Sequence, residues 1–177
     1  MIGVRLEADG RVLVLLEPLE VEVLEDLARQ YASLLDGAPV GGDPALGRLF
    51  PDAYPDDSRA SSEFSRFTRD ELRATRLAGV DVVRSALAAA PRDPHSPAIE
   101  IVVDEPARWT WLRLLTELRL TLAERLGIHD DADAPDLASE AAQAVFGVYE
   151  WLGMLQESML AAIDAEHPTR ADRPPHR

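Results

Sequence analysis

The chain has 177 residues, and its hydrophobic fraction of 46% suits a folded domain and is too high for a disordered chain. It contains no cysteine, which excludes disulfides, thiolate metal sites and thiol redox switching within these residues. Its net charge of −14 is repelled by phosphate backbones, so sequence-independent DNA binding is disfavoured.

The first part of the chain predicts a β-hairpin followed by an amphipathic helix. Asp9-Gly10 separates two apolar runs, which is a strong signal for a two-residue hairpin turn. The second strand, Val12–Leu16, is continuously apolar, so we expect it to be covered on both faces. Pro18 then begins a helix that runs to about Asp36, because apolar residues recur there at helical spacing.

The middle of the chain predicts a loop, two helices and a strand. Residues 37–57 are rich in Gly, Pro and Asp, which indicates a long ordered loop or two turns. A short helix over 58–67 is followed by a second helix, which starts at the capping-box pattern Thr68–Glu71 and lasts to about Ala90. The strand Ala98–Val103 is too short to stand alone, so we expect it to join the hairpin in a small sheet.

The last part predicts two long helices. Asp104 caps the first, which ends at Gly127, and the second covers about 136–166. The fold class is therefore α+β and predominantly α-helical. About four to five helices pack with a small sheet made of the N-terminal hairpin and one later short strand. We predict one globular domain over 1–167 and a disordered tail over 168–177, where prolines accumulate.

No catalytic, cofactor-binding or metal-binding residue is assigned from the sequence. The four histidines lack the spacing of a zinc motif, and no glycine-rich phosphate loop or nucleophile elbow is present. A calcium loop begun at Asp131 would need Gly at 136 and Glu at 142, which are Asp136 and Ala142. We expect a non-enzymatic protein without a cofactor, with an enzyme of unrecognised type as an alternative.

Three arginines share one face of the predicted helix after Thr68. Arg69, Arg73 and Arg76 are spaced i, i+4 and i+7. This face is either a site for an anionic ligand or partner, or a set of side chains that pair with the acid-rich first helix or lie in solvent. A DNA-binding transcription factor would use the same face, although the net charge of −14 opposes that interpretation.

Arg119 lies on the apolar arc of its helix, whose narrow polar side carries Arg113, Glu117 and Glu124. A buried guanidinium must be paired, because an unpaired buried charge costs several kcal/mol. Our hypothesis is a structural ion pair between Arg119 and an acid on another helix, with Glu157 as the first candidate.

The last helix carries apolar residues on two sides. One stripe faces the core and includes Gln156, which needs hydrogen-bond partners, whereas Trp151 and Met154 lie on a second surface. Gly147 and Gly153 each cost about 1 kcal/mol of helix propensity, which indicates close approach of another segment. That neighbour is the small sheet, a second protomer or a partner protein. Trp151, Met154 and Gln156 therefore join the three arginines as predicted partner-binding residues.

Three segments in chain order are similar to an actinobacterial family, the domain of unknown function 2017 family. They are Leu49–Arg73, Leu118–Ile128 and Val148–Leu160, and the hairpin start and arginine-only basic usage also fit. Some members of this family are described as oxidative-stress regulators that act on transcription in association with sigma factor. The resemblance implies a regulator that binds sigma factor or RNA polymerase. A thiol-switching version cannot operate in these residues, because they include no cysteine.

The predicted function is that of a non-enzymatic regulatory protein that acts by protein binding, with a homodimer as one possible assembly. No apolar run reaches the roughly 18–20 residues that span a bilayer, and no signal-peptide pattern follows Met1. We therefore expect a cytoplasmic protein with no membrane contact. Whether it contacts DNA directly is left open by the sequence.

Overall fold

Five α-helices, a 3-10 helix over Glu105–Ala107 and three strands are formed by the part of the chain that this computed structural model describes, namely residues 3–37, 43–51, 54, 56–93, 95–130, 133–135 and 137–165. The elements are β1 Gly3–Leu6, β2 Val12–Leu16, α1 Pro18–Gly37, α2 Pro44–Leu49, α3 Ser58–Ala89, β3 Ile99–Val103, α4 Arg108–Arg125 and α5 Glu140–Asp164. The predicted fold class is confirmed, whereas the predicted tail lies outside the described residues.

β2 is the central strand of an antiparallel sheet in the order β1-β2-β3. Val14 is paired with Val4 on one side and with Ile101 on the other. The predicted hairpin and its union with the later strand are confirmed, but the turn is longer than two residues. Glu7–Arg11 connects the strands, and Gly10 has the φ of 85° that glycine adopts without a Cβ penalty.

Both faces of β2 are covered, as its continuous apolar sequence predicts. Val12 and Val14 are buried on one face and Leu13 on the other. Helix α5 contacts β1 and β2, whereas α3 contacts β3. At the turn of the hairpin, the buried guanidinium of Arg108 donates a hydrogen bond to the carbonyl of Gly10. The sheet is thereby fixed to the start of α4.

Helix α2 lies inside the segment that was predicted as loop or turns. The Asp43 carboxylate caps it by accepting a hydrogen bond from the Ala45 backbone N–H at 2.9 Å, and Pro44 occupies its first turn. Leu46 and Leu49 are buried, and α2 packs on α4. Six residues are too few to display helical periodicity, so the sequence pattern did not reveal this helix.

Helix α3 is one continuous helix where two were predicted. Asp57 caps it by accepting hydrogen bonds from the backbone N–H groups of Arg59 and Ala60. The predicted helix start at Thr68 is wrong, because the Thr68 hydroxyl donates to the Phe64 carbonyl at 2.9 Å within the helix. The capping-box spacing therefore occurs here in the middle of a helix.

Helix α4 ends as expected, but the predicted starts of α4 and α5 are shifted. The predicted cap at Asp104 is wrong, because its side chain makes no capping hydrogen bond and a 3-10 turn, Glu105–Ala107, precedes the start of α4 at Arg108. Gly127 stops α4 with a φ of 71°, as predicted. Helix α5 begins at Glu140, later than the predicted start near 136, because Ser139 caps it by accepting a hydrogen bond from the Ala142 backbone N–H at 3.1 Å.

The two glycines of α5 make a matched pair for substitution. A Cβ at Gly153 would lie 3.3 Å from the Cζ atom of Arg119, which confirms the predicted close approach there, whereas a Cβ at Gly147 would meet nothing within 4 Å. We expect Gly147→Ala to raise the free energy of unfolding by up to about 1 kcal/mol through helix propensity. Gly153→Ala should gain less or destabilise, because the guanidinium must move. Urea denaturation of both variants measures this difference, and equal gains would contradict the packing at Gly153.

Candidate functional site

The predicted arginine face of α3 is its inward side. Its helical spacing continues through Val80, Val83 and Leu87, which are all buried. Arg73 and Arg76 are half-buried, and the Nε atom of Arg73 is buried without a hydrogen-bond partner. Arg69 at the start of the stripe is also half-buried. The sequence correctly placed these arginines on one face of the helix, but in the structure this face is directed toward the interior of the protein.

A buried polar network joins four helices around Glu117. Its carboxylate accepts one hydrogen bond from the Tyr31 hydroxyl of α1 at 2.9 Å and one from the Arg76 Nε of α3 at 2.9 Å. Arg76 also donates to the Leu49 carbonyl of α2 at 2.8 Å. The guanidinium lies over the Phe50 ring, 4.4 Å from its centroid. We call Tyr31, Arg76, Glu117 and the Leu49 carbonyl the Glu117 network.

The structure corrects the predicted environment of Glu117, which was placed on the polar side of α4 from the sequence. The residue is only 7% exposed. The polar side of α4 therefore faces the other helices at this point, where Tyr31 and Arg76 satisfy both carboxylate oxygens. Neither Tyr31 nor Glu117 was identified as a site residue from the sequence. Their positions are 86 residues apart, so no local pattern connects them.

Burial raises the pKa of the Tyr31 hydroxyl well above its ordinary value of 10.0, and the adjacent Glu117 carboxylate raises it further. In the unfolded chain Tyr31 loses its proton near pH 10, whereas in the folded chain it keeps it. The resulting stabilisation is present below pH 10 and is lost as the pH rises above it.

We expect the free energy of unfolding to fall above about pH 10 by up to about 1.4 kcal/mol per pH unit from this group. The chain has no lysine or cysteine, whose side chains would otherwise titrate in this range. Urea denaturation from about pH 9 to 11 should show a smaller slope for Tyr31→Phe than for wild type or the control Tyr149→Phe. An unchanged slope in Tyr31→Phe would contradict the buried hydroxyl.

The structure gives Arg119 neutral partners in place of the predicted Glu157. Its Nη1 donates to the Gln156 side-chain oxygen at 3.2 Å, and its Cζ lies 4.9 Å from the centroid of the Tyr149 ring. Gln156 in turn donates to the Thr116 hydroxyl at 2.8 Å. Glu157 is exposed, since it lies about 100° further round α5 than Gln156. Gln156 therefore has the internal partners that its place in the stripe requires.

On the second surface of α5, Trp151 makes an internal contact, whereas Met154 is exposed to solvent. The Trp151 indole Nε1 donates to a Glu20 carboxylate oxygen of α1 at 2.9 Å. Trp151 is half-buried, whereas Met154 is 54% exposed. The neighbour on this side therefore includes α1, which was not among the expected neighbours. Of the three predicted partner residues on α5, Met154 is the exposed one.

A cluster of exposed aromatic side chains lies at the N-terminal half of α3. The Tyr54 and Phe64 rings meet edge to face at 6.1 Å, and the Arg66 guanidinium lies 5.3 Å from the Phe67 ring centroid. Phe64 is 46% exposed and Phe67 is 73% exposed. We call Tyr54, Phe64, Arg66 and Phe67 the aromatic patch. Its members were not identified from the sequence, where the two Phe residues were assigned to a short separate helix.

Two of the larger recesses in the described part of the chain lie away from the aromatic patch, on the helical body. A groove of about 670 Å³ runs between α1, α4 and α5, and most of its lining is apolar. A cleft of about 510 Å³ lies between α2, α3 and α4. We call the second recess the arginine cleft, because its lining includes three guanidinium side chains, those of Arg48, Arg76 and Arg113.

In the acidic loop before α5, the described carboxylate of Asp133 has a structural role. The Asp133 carboxylate accepts hydrogen bonds from the backbone N–H groups of His129 and Asp130, which lower its pKa. Asp131, Ala132 and Asp136 lie outside the described residues. Among the residues that are described, no three His, Asp or Glu side chains are grouped to share a metal ion. None of the described helices is long and apolar enough to cross a membrane.

Comparison with known proteins identifies the family. A family model described as a domain of unknown function, DUF2017, matches residues 1–163. The chain belongs to the DUF2017 family. This confirms the resemblance seen in the three sequence segments, which all lie within the matched range.

One relative of this DUF2017 chain carries a functional name. It is AosR of Mycobacterium leprae, named as a proposed oxidative stress regulator, and it is 29% identical over 144 residues. The match covers 70% of this chain and 59% of that protein, so the chain spans less than two thirds of its relative's length. No solved structure matches this DUF2017 chain.

Proposed function

We propose that this DUF2017 protein is a non-enzymatic, cytoplasmic regulator that acts by binding another protein, with sigma factor or RNA polymerase as the partner. The observation that carries the proposal is the aromatic patch. Large apolar side chains exposed together on one surface are typical of protein-binding sites, and aromatic residues and arginine dominate binding energy in such sites. The regulatory name of the relative supports the same function class.

The patch lies on a segment that is poorly covered by the rest of the protein. Between Ser61 and Val80, no described residue of α3 is fully buried. Among the arginines of this stretch, Arg66 is exposed and lies over the Phe67 ring, whereas Arg69, Arg73 and Arg76 lie on the inward face. The partner surface that fits the patch is therefore apolar at its centre, with an acidic group opposite Arg66.

Phe67→Ser should test the patch directly. We expect wild-type protein to bind sigma factor or RNA polymerase from its own source organism saturably in a fluorescence titration, and Phe67→Ser to bind about tenfold more weakly or worse. Trp109→Ser is the matched control, because Trp109 is a 64% exposed aromatic residue outside the patch. Absence of saturable binding, or equal affinities for all three proteins, would contradict the proposal.

A DNA-binding transcription factor is the second candidate, favoured by the arginine surplus of α3. It is weaker because Arg76 is held by Glu117 and the Leu49 carbonyl. Titration of promoter DNA in rising salt separates the two functions. Direct phosphate contact predicts an affinity that falls steeply with salt concentration, whereas no binding at low salt removes this candidate.

A further inference from the structure

We infer that the arginine cleft binds a small anionic molecule, a carboxylate or phosphate carried on an apolar body. The cleft volume of about 510 Å³ is within the range of small-molecule sites, about 300–1,000 Å³. It lies between three helices and does not include the aromatic patch. This ligand site goes beyond the proposed protein binding and does not depend on it.

Positive charge exceeds negative charge in the arginine cleft. Glu117 is the carboxylate among the described residues of its lining, and both of its oxygens already accept hydrogen bonds from Tyr31 and Arg76. Arg113 is exposed at the cleft and has no ion-pair partner within the described ranges. Three guanidinium groups face Glu117 and, through Arg48, the Glu124 carboxylate, so one positive charge is in excess and an anion would neutralise it.

Some N–H donors of Arg48 remain available to bind such an anion. It donates to the Ile128 carbonyl at 2.6 Å and lies 3.6 Å from the nearer Glu124 carboxylate oxygen. The carbonyl contact positions the guanidinium without neutralising its charge, whereas the ion pair with Glu124 offsets part of that charge. A guanidinium has five N–H donors, so several remain available.

The remaining lining of the arginine cleft determines which anion fits. Leu49, Leu72 and Leu120 supply apolar surface beside the charged groups. An inorganic ion alone would leave this surface uncovered, whereas an anion with a short hydrocarbon body would cover it. The side chain of Arg76 is only 17% exposed, so the charge is recessed and suits a small molecule better than a flat protein surface.

Calorimetric titration with octyl phosphate, octanoate and octanol tests the site. We expect saturable binding of both anions and none of octanol, and about tenfold weaker anion binding by Arg113→Gln, because one charge-assisted hydrogen bond is lost. Arg59→Gln is the matched control, since the Arg59 side chain is 90% exposed on α3 and does not line the cleft. Circular dichroism verifies that both variants are folded.

Methyl NMR spectra locate the bound anion. Resonances of Leu72 and Leu120 should shift on addition of octyl phosphate, whereas those of Leu27 and Val145 in the α1, α4 and α5 groove should not. The inference is overturned if the anions bind no better than octanol, if the groove resonances shift instead, or if Arg113→Gln binds as tightly as wild type.

Discussion

Replacement of Glu117 with alanine should lower the free energy of unfolding by about 3–5 kcal/mol. The carboxylate is the shared acceptor for Tyr31 and Arg76, and its removal leaves a recessed guanidinium and a buried hydroxyl without their partner. Four helices meet at this network, so the loss affects their mutual packing. Urea denaturation followed by circular dichroism gives the value.

Two further variants distinguish the loss of the Glu117 network from the general effect of removing a carboxylate. Glu150→Ala on α5 removes an exposed acid and should change stability by less than about 0.5 kcal/mol. The double variant Glu117→Leu with Arg76→Met replaces both charges with apolar groups, and it should be more stable than Glu117→Ala. A Glu117→Ala variant as stable as Glu150→Ala would show that the network does not hold the helices together.

Leu152→Ala should destabilise the protein by about 2–5 kcal/mol, whereas Met154→Ala, two positions along the same helix, should cost less than about 0.5 kcal/mol. Leu152 is fully buried and Met154 is 54% exposed, so only the first substitution opens a cavity. Thermal or urea unfolding of the two variants makes a direct comparison, because both residues lie within α5 and are large and apolar.

The same pair of variants reports on self-association. If Met154→Ala destabilises as much as Leu152→Ala, and if the effect grows with protein concentration, a second copy covers Met154 in solution. If Met154→Ala lowers stability strongly and the loss does not depend on protein concentration, the result contradicts the exposure of the Met154 side chain.

Local sequence signals predicted most of the fold. The Asp9-Gly10 turn, the apolar β2 and the terminator Gly127 each act through neighbouring backbone, so a single sequence identifies them. The capping-box spacing at Thr68 predicted a wrong helix start, because Asp57 caps the helix earlier. The helix then continues without interruption through Thr68. A motif defined by two residues is compatible with the middle of a helix as well as with its start.

The candidate sites were harder to predict because they depend on distant contacts. Arg69, Arg73 and Arg76 were grouped by spacing, and continuing that spacing to Val80 and Val83 would have shown that the face points inward. No comparable signal exists for Tyr31 and Glu117, which meet only after four helices pack. Similarly, the exposure of Phe67 depends on what the rest of the chain leaves uncovered.

Site-specific photo-crosslinking in the native cell tests the central claim, that the aromatic patch of α3 contacts a protein partner. A photoreactive phenylalanine analogue replaces Phe67 in one strain and Trp109 in another, since both positions are exposed and aromatic. We expect position 67 to give a discrete adduct containing sigma factor or an RNA polymerase subunit, and position 109 to give none. No adduct at position 67, or the same adducts at both positions, would contradict the claim.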